Sequence, residues 1–166
     1  MKYKVADAFP YYAELTEGFD LKEIFARTDF FEIYNKISEE ESKLQYAEGK
    51  WTLKQIMGHM TDHERIMLYR ALRFSRNDDT LLSGYDQDQM VNNSRFNDLT
   101  WAHLVNELKC VRASSICFIE GLSANQLQLK GQAWKYSLTV EEFLRATIGH
   151  EMHHINIIKE KYLPLM

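Results

Sequence analysis

Five of the six histidines lie at spacings that a helix can use to hold a metal ion. His59 and His63 are four residues apart, and so are His150 and His154, with His153 between them. Side chains four residues apart on an α-helix lie one turn apart on the same face. Two imidazoles from one helix and a third from another could bind zinc, nickel or iron. The alternative is that these histidines are core residues satisfied by hydrogen bonds.

Angles around the helix separate the histidines of the C-terminal group. At about 100° per residue, His150 and His154 lie within about 40° of each other, beside an apolar stripe that includes Ile148 and Ile155. His153 points about 60° further from that stripe. The pattern therefore favours His150 and His154 as the pair, whereas His59 and His63 both border their own apolar stripe and stay equal candidates for the third ligand.

The segment His150–His154 also reads HExxH, in which two histidines bind zinc and the glutamate is the general base of a metallopeptidase. The only acidic residue downstream is Glu160, which would lie on the same helix and point away, and no strand pattern precedes the motif. The sequence therefore disfavours a peptidase. Glu151 and His63 stay candidates for a general base. Because Glu151 lies about 100° around the helix from His150, a supporting or structural role fits it equally well.

Four helices are expected to carry these residues. Capping residues with apolar neighbours on either side mark their starts, and they are Asp20, Thr52, Thr100 and Thr139. The predicted helices cover residues 21–37, 53–76, 101–120 and 140–161. Gly and Pro, which helices tolerate poorly in their interiors, number only 7 and 2. Strand patterns are weak, so the sequence predicts an all-α four-helix bundle with a longer connection between the second and third helices.

Composition restricts the classes of function. A length of 166 residues favours one domain over 1–166. The net charge of -4 argues against a nucleic-acid binder, and no apolar run is long enough to span a membrane. Cys110 and Cys117 would lie about 10 Å apart along a helix, too far for a disulfide. With no export signal either, we expect a cytoplasmic protein.

Several segments carry a pattern that extends beyond the histidines. They are Gly49–His59 (GKWTLKQIMGH), Asp62–Arg65, Tyr69–Arg73, Gly84–Asp88, Val111–Ser114, Gly149–His154 and Lys161–Leu163. On these segments, residues 45–163 resemble the DinB-like superfamily of metal-dependent enzymes. The resemblance implies a four-helix bundle with one long connection. It also implies His59, His150 and His154 as the metal ligands, with His63 as a partner of a ligand, a proton carrier or a core residue.

The resemblance also implies a class of chemistry. Some relatives transfer low-molecular-weight thiols such as bacillithiol or mycothiol to electrophiles, and relatives often form homodimers. A divalent metal with open positions acidifies a bound water or thiol. We therefore expect thiol transfer to a small-molecule substrate first, metal-dependent hydrolysis second, and a non-enzymatic metal-binding dimer third.

Five further residues are candidates for the surroundings of the site. Arg65, Arg70 and Arg112 could anchor an anionic substrate, although each could equally be an ion-paired or surface residue. Tyr85 and Asp86, in the longer connection, could line the mouth of a pocket or serve only in the loop. The sequence does not separate these alternatives.

Overall fold

Helices begin at the four predicted capping residues. In the computed structural model, which describes residues 1–166, each capping side chain accepts a hydrogen bond from a backbone N–H of the first helical turn. Thr52 and Thr139 also form reciprocal capping boxes with Gln55 and Glu142. Each box satisfies donors that the helix itself cannot pair. The pattern of capping residues therefore predicts the four helix starts correctly.

Eight α-helices and one hairpin make up the regular structure. The helices are α1 (Phe9–Glu14), α2 (Leu21–Phe25), α3 (Asp29–Tyr34), α4 (Leu53–Ser75), α5 (Gln87–Asn92), α6 (Trp101–Glu120), α7 (Ala124–Leu127) and α8 (Val140–Ile157). Strands β1 (Lys130–Ala133) and β2 (Tyr136–Thr139) pair antiparallel, with Ala133 opposite Tyr136. A π-helical turn, Ile158–Tyr162, extends α8.

The long helices α4, α6 and α8 form most of a four-helix bundle. Helix α4 packs against both α6 and α8, while α1 packs on α8 and α2 packs on both α6 and α8. The core between them contains fully buried aromatic and aliphatic side chains, among them Phe25, Phe74, Met67, Leu104 and Phe143. The all-α bundle and the long connection between α4 and α6 are thus confirmed. No helix is long and apolar enough to cross a membrane.

The predicted first helix over 21–37 is wrong, because two short helices, α2 and α3, occupy that segment. Phe25 and Phe30 are both buried, yet one continuous helix would place them about 140° apart. The break between them lets both rings face the core. Arg27 spans the break and pairs with Asp29 at 2.6 Å.

The hairpin is an addition that the sequence did not predict. Its two-residue loop, Trp134-Lys135, lacks the Asn-Gly or Asp-Gly signature of tight hairpin turns, and Trp134 adopts a positive φ of 53°. The long connection is tied to this hairpin, since the N–H of Leu82 donates to Gln132 and the N–H of Trp134 donates to Leu82. The hairpin and the connection therefore hold one another beside α4.

Two glycines allow neighbouring elements to approach the helices that carry the histidines. A Cβ at Gly149 would lie 1.8 Å from the carbonyl oxygen of Tyr12, so α1 crosses α8 in direct backbone contact. A Cβ at Gly58 would lie 2.4 Å from the ring of Phe96. Each glycine directly precedes a histidine of the predicted site, which brings α1 and the long connection up to it.

Candidate metal centre

The imidazoles of His59, His150 and His154 converge on one point between α4 and α8. The Nε2 atom of His150 lies 3.1 Å from Nε2 of His59 and 3.1 Å from Nε2 of His154. The three ligand atoms all lie within 4.8 Å of one another. His59 and His150 are buried and His154 is partly buried. The helix pair therefore presents three nitrogen donors at one place.

This donor set fits a metal ion better than it fits a hydrogen-bond network. Metal–nitrogen bonds of about 2.0–2.1 Å in a tetrahedral zinc site separate the nitrogens by about 3.3 Å, close to the two observed separations. A neutral imidazole nitrogen carries either one hydrogen or one lone pair. His150 Nε2 therefore cannot make a full hydrogen bond to both neighbours, whereas a metal would satisfy all three nitrogens.

The protonation states suit metal binding. Burial lowers the pKa of His59 to about 4. Burial also holds the pKa values of His150 and His154 well below the usual 6.5, and neighbouring imidazoles lower them further. All three are neutral near pH 7, so their lone pairs are free for a metal without proton release. The Nδ1 atom of His154 is buried without a partner.

His63 lies beside the cluster rather than in it. Its ring stacks on His150 with centroids 3.9 Å apart, and its Nδ1 lies 2.8 Å from the hydroxyl of Tyr85. Its Nε2 is buried with no partner. Burial raises the pKa of Tyr85 to about 12, so this hydroxyl is protonated at neutral pH. His63 is therefore held in place through one nitrogen and keeps the other free.

Two cavities reach the histidines from different sides. The larger, of about 680 Å³, is lined by His63 and His150 and by residues of α1, the long connection and the hairpin. The smaller, of about 360 Å³, is lined by His154, Trp51 and Tyr162 among others. Tyr85 and Asp86 both line the larger cavity, as the sequence suggested they could. His150 and His154 thus each border a cavity large enough for a small molecule.

The three candidate arginines have different environments. Arg65 is half-exposed and pairs with Asp62 and Glu107, which matches a surface role. Arg112 is buried and pairs with two carboxylates. Arg70 is buried on the wall of the larger cavity. Only Arg70 is therefore placed to meet a ligand near the histidines.

Glu151 points into a separate polar cluster in the core. Its Oε1 accepts a hydrogen bond from Tyr34 at 2.9 Å, and its Oε2 accepts from Arg112, which also binds Glu64. Burial raises the pKa of Glu151, while Arg112 opposes that rise. Both carboxylate oxygens are occupied, and Glu151 lines neither cavity at the histidines. This geometry favours the structural role over the role of general base.

The structure also places the residues that the pattern left aside. His153 contacts the rings of Tyr11 and Tyr12 and stands outside the cluster, as its angle predicted. Cys110 and Cys117 are exposed free thiols on α6.

The sequence did not identify the aromatic wall of the larger cavity. Phe9 and Tyr12 come from α1, and Trp134 and Tyr136 come from the hairpin. The available signal was the aromatic run Phe9-Pro10-Tyr11-Tyr12, with a proline suited to a first helical turn. Burial also raises the pKa of Tyr12 to about 12. Two segments outside the long helices thus complete the surroundings of the histidines.

The fold and the site together define a four-helix-bundle protein with a three-histidine candidate metal centre. A family model of the DinB superfamily matches residues 24–158, and this chain belongs to that superfamily. Among solved structures, YfiT from Bacillus subtilis aligns with 99% of this chain and 91% of its own, at a TM-score of 0.73 and 16% identity. That protein is described as "a probable metal-dependent hydrolase with an unusual four-helix bundle topology". At this identity the likeness shows the shared fold. No curated protein matches this chain in sequence.

Proposed function

We propose that this protein is a metal-dependent enzyme in which His59, His150 and His154 hold one divalent transition metal: zinc, nickel or iron. The observation that carries the proposal is the convergence of three neutral Nε2 atoms, two of them 3.1 Å from the third. Imidazole donors suit all three metals and do not distinguish among them. Access from two cavities supports an enzyme over a closed metal-storage site.

The metal would supply one element of the chemistry, and the chain's residues would supply the rest. A divalent metal lowers the pKa of a coordinated water or thiol toward neutrality and so provides a nucleophile. We assign the uptake of the proton to His63, whose ring stacks on that of His150. In the tautomer whose Nδ1–H donates to Tyr85, Nε2 carries a free lone pair in a buried position on a ring that stacks on His150. Burial keeps the pKa of the His63 imidazole well below 6.5, so this residue is neutral at pH 7 and would pass the proton on rather than retain it.

The transferred group that we infer is a low-molecular-weight thiol. Two cavities, one bordered by His150 and the other by His154, suit two small molecules, a thiol in one and an electrophile in the other. A carbon–sulfur bond forms, the leaving group departs with its electron pair, and the thiol proton passes to His63. We further propose that the protein is a single-domain cytoplasmic homodimer that binds no nucleic acid. The chain length and the net charge support a single domain that does not bind nucleic acid, and the frequent homodimers among relatives support the dimer.

Hydrolysis is the second candidate, and the description of YfiT as a probable metal-dependent hydrolase favours it. In that reaction water replaces the thiol, and the same three histidines and His63 would serve. Only one cavity then needs to hold an organic molecule. The two candidates differ in one measurable respect, which is whether turnover requires an added thiol.

Turnover assays on metal-reconstituted protein test the proposal. Bacillithiol, mycothiol and glutathione would each be offered with monochlorobimane, and 4-nitrophenyl acetate would be offered without a thiol. We expect thiol-dependent conjugation in the wild type and in His153→Ala, and no conjugation above the uncatalysed rate in His59→Ala, which would no longer hold the metal. Thiol-independent ester cleavage with the same loss would replace transfer by hydrolysis. Metal-loaded protein without any turnover would contradict an enzymatic function.

A further inference from the structure

Arg70 carries a buried positive charge that no carboxylate of the chain balances. Its residue surface is 3% exposed, and none of the ten ion pairs includes it. Its Nη2 donates to the carbonyl oxygen of Ser83 at 2.8 Å, and its Nη1 lies 3.6 Å from the sulfur of Met67. A carbonyl and a thioether do not neutralise a cation, so this charge is costly to bury without a partner.

The other buried arginine provides the comparison. Arg112 is 4% exposed and receives two carboxylates, Glu64 and Glu151. Arg112 lies outside the wall of the larger cavity, whereas Arg70 forms part of it. The fold therefore pairs the arginine in the core and leaves unpaired the one that faces the space beside the histidines.

The side chains around Arg70 are aromatic, and no acidic side chain forms an ion pair with it. Its guanidinium lies 5.8 Å from the ring centre of Phe9 and 5.7 Å from that of Tyr85. Asp86 is the only acidic residue on this wall. Its Oδ1 accepts the backbone N–H of Gln89 at the start of α5, and it forms no ion pair. His63 lines the same wall, and its buried Nε2 has no hydrogen-bond partner.

We propose that Arg70 binds the anionic group, a carboxylate, phosphate or sulfonate, of a small substrate whose apolar part lies against the aromatic wall. A guanidinium matches the geometry of these groups with two parallel N–H donors. The inference rests on the proposed function, because His150, a proposed metal ligand, lines the same cavity. It adds that the substrate in the larger cavity is an anion and that Arg70 selects it.

Isothermal titration with simple probes tests this inference. Benzoate, phenyl phosphate and benzenesulfonate are the anionic probes, and benzyl alcohol is the neutral one. Each would be titrated into wild type, Arg70→Met, Arg70→Lys and Arg65→Met, both as purified and after chelator treatment. Arg65→Met is the matched control, since Arg65 lies on the same helix but pairs with Asp62 and Glu107 at the surface.

We expect at least one anion to bind the wild type about tenfold or more tightly than benzyl alcohol does, with or without metal. Arg70→Met should lose that preference, Arg70→Lys should lose part of it, and Arg65→Met should keep it. If Arg70→Met does not fold, Arg70→Lys carries the test, because it keeps the charge and loses the paired donors.

Three results would overturn the inference: no anion binds, anions and benzyl alcohol bind equally, or the Arg70 variants bind as the wild type does. Binding that disappears with chelator yet persists in Arg70→Met would place the anion on the metal, which leaves the metal centre standing and removes the role of Arg70. Binding through Arg70 in a protein that takes up no metal would refute the proposed function and support the anion site.

Discussion

Replacing Arg112 by methionine should destabilise the protein strongly without removing its metal. The Nε and Nη2 atoms of Arg112 bind Glu64 at 3.0 and 2.8 Å, and Nη2 also binds Glu151. Ser115 and Tyr34 complete the cluster with hydrogen bonds of 2.6 and 2.9 Å to the two carboxylates. Removing the cation would leave two buried carboxylates facing each other.

The expected cost is about 4 kcal/mol near pH 7, since breaking a buried ion pair by removing one partner costs about 3–5 kcal/mol. Without Arg112, the pKa of Glu151, which burial already raises, should rise further. A raised folded-state pKa means that the folded protein binds more protons than the unfolded chain. The deficit of Arg112→Met should therefore shrink as the pH falls from about 7 to about 5.

Urea unfolding followed by far-UV circular dichroism measures this effect, with the midpoint read at an unchanged m-value. Arg65→Met is the control, because its exposed ion pairs should contribute at most about 1 kcal/mol. The metal content of Arg112→Met should equal that of the wild type. A normal unfolding midpoint combined with loss of metal would refute the reasoning and return Glu151 to the chemistry of the histidine site.

Three further predictions follow from single sites. Metal-free protein should lose stability as the pH falls from about 6.5 to about 4, because burial lowers the pKa of His59 to about 4 and the unfolded chain takes up its proton first. At about 1.4 kcal/mol per pKa unit the loss is about 3.5 kcal/mol. The pH dependence of the urea midpoint should be flatter in His59→Gln than in the wild type. Gly149→Ala should cost about 3 kcal/mol in thermal unfolding, because its Cβ would clash with the backbone of Tyr12. The control Gly121→Ala, whose Cβ has its nearest contact at 3.5 Å, should be close to neutral. Equal melting temperatures of the two variants would contradict the close approach of α1. Thr52→Ala should cost about 1 kcal/mol in the same assay through loss of the capping box, and an unchanged midpoint would show that the box contributes nothing.

The histidine spacing predicts much of the candidate site because a helix converts sequence separation into direction. His150 and His154 share a face of α8, and His153 does not, as its angle indicates. Spacing alone could not choose between His59 and His63, because both border the same stripe of α4. The resemblance to the DinB-like superfamily selected His59, and the cluster geometry agrees.

The parts that the sequence missed depend on contacts between segments distant in the chain. Nothing local in Phe9–Glu14 indicates that its backbone will meet α8 at Gly149. The hairpin escaped prediction because Trp134 occupies a turn position that glycine or asparagine usually fills. The break between α2 and α3 follows from burying Phe25 and Phe30 together. In each case tertiary packing decides what the local pattern leaves open.

Metal content tests directly whether His59, His150 and His154 hold a metal ion. Untagged protein, purified without chelator, would be analysed by mass spectrometry of its metals for wild type, His59→Ala, His154→Ala and the control His153→Ala. We expect about one transition-metal equivalent per chain in the wild type and in His153→Ala, and none in the other two variants. A wild type that binds no metal after reconstitution with zinc, nickel and iron, or a full equivalent retained in His59→Ala and His154→Ala, would contradict it.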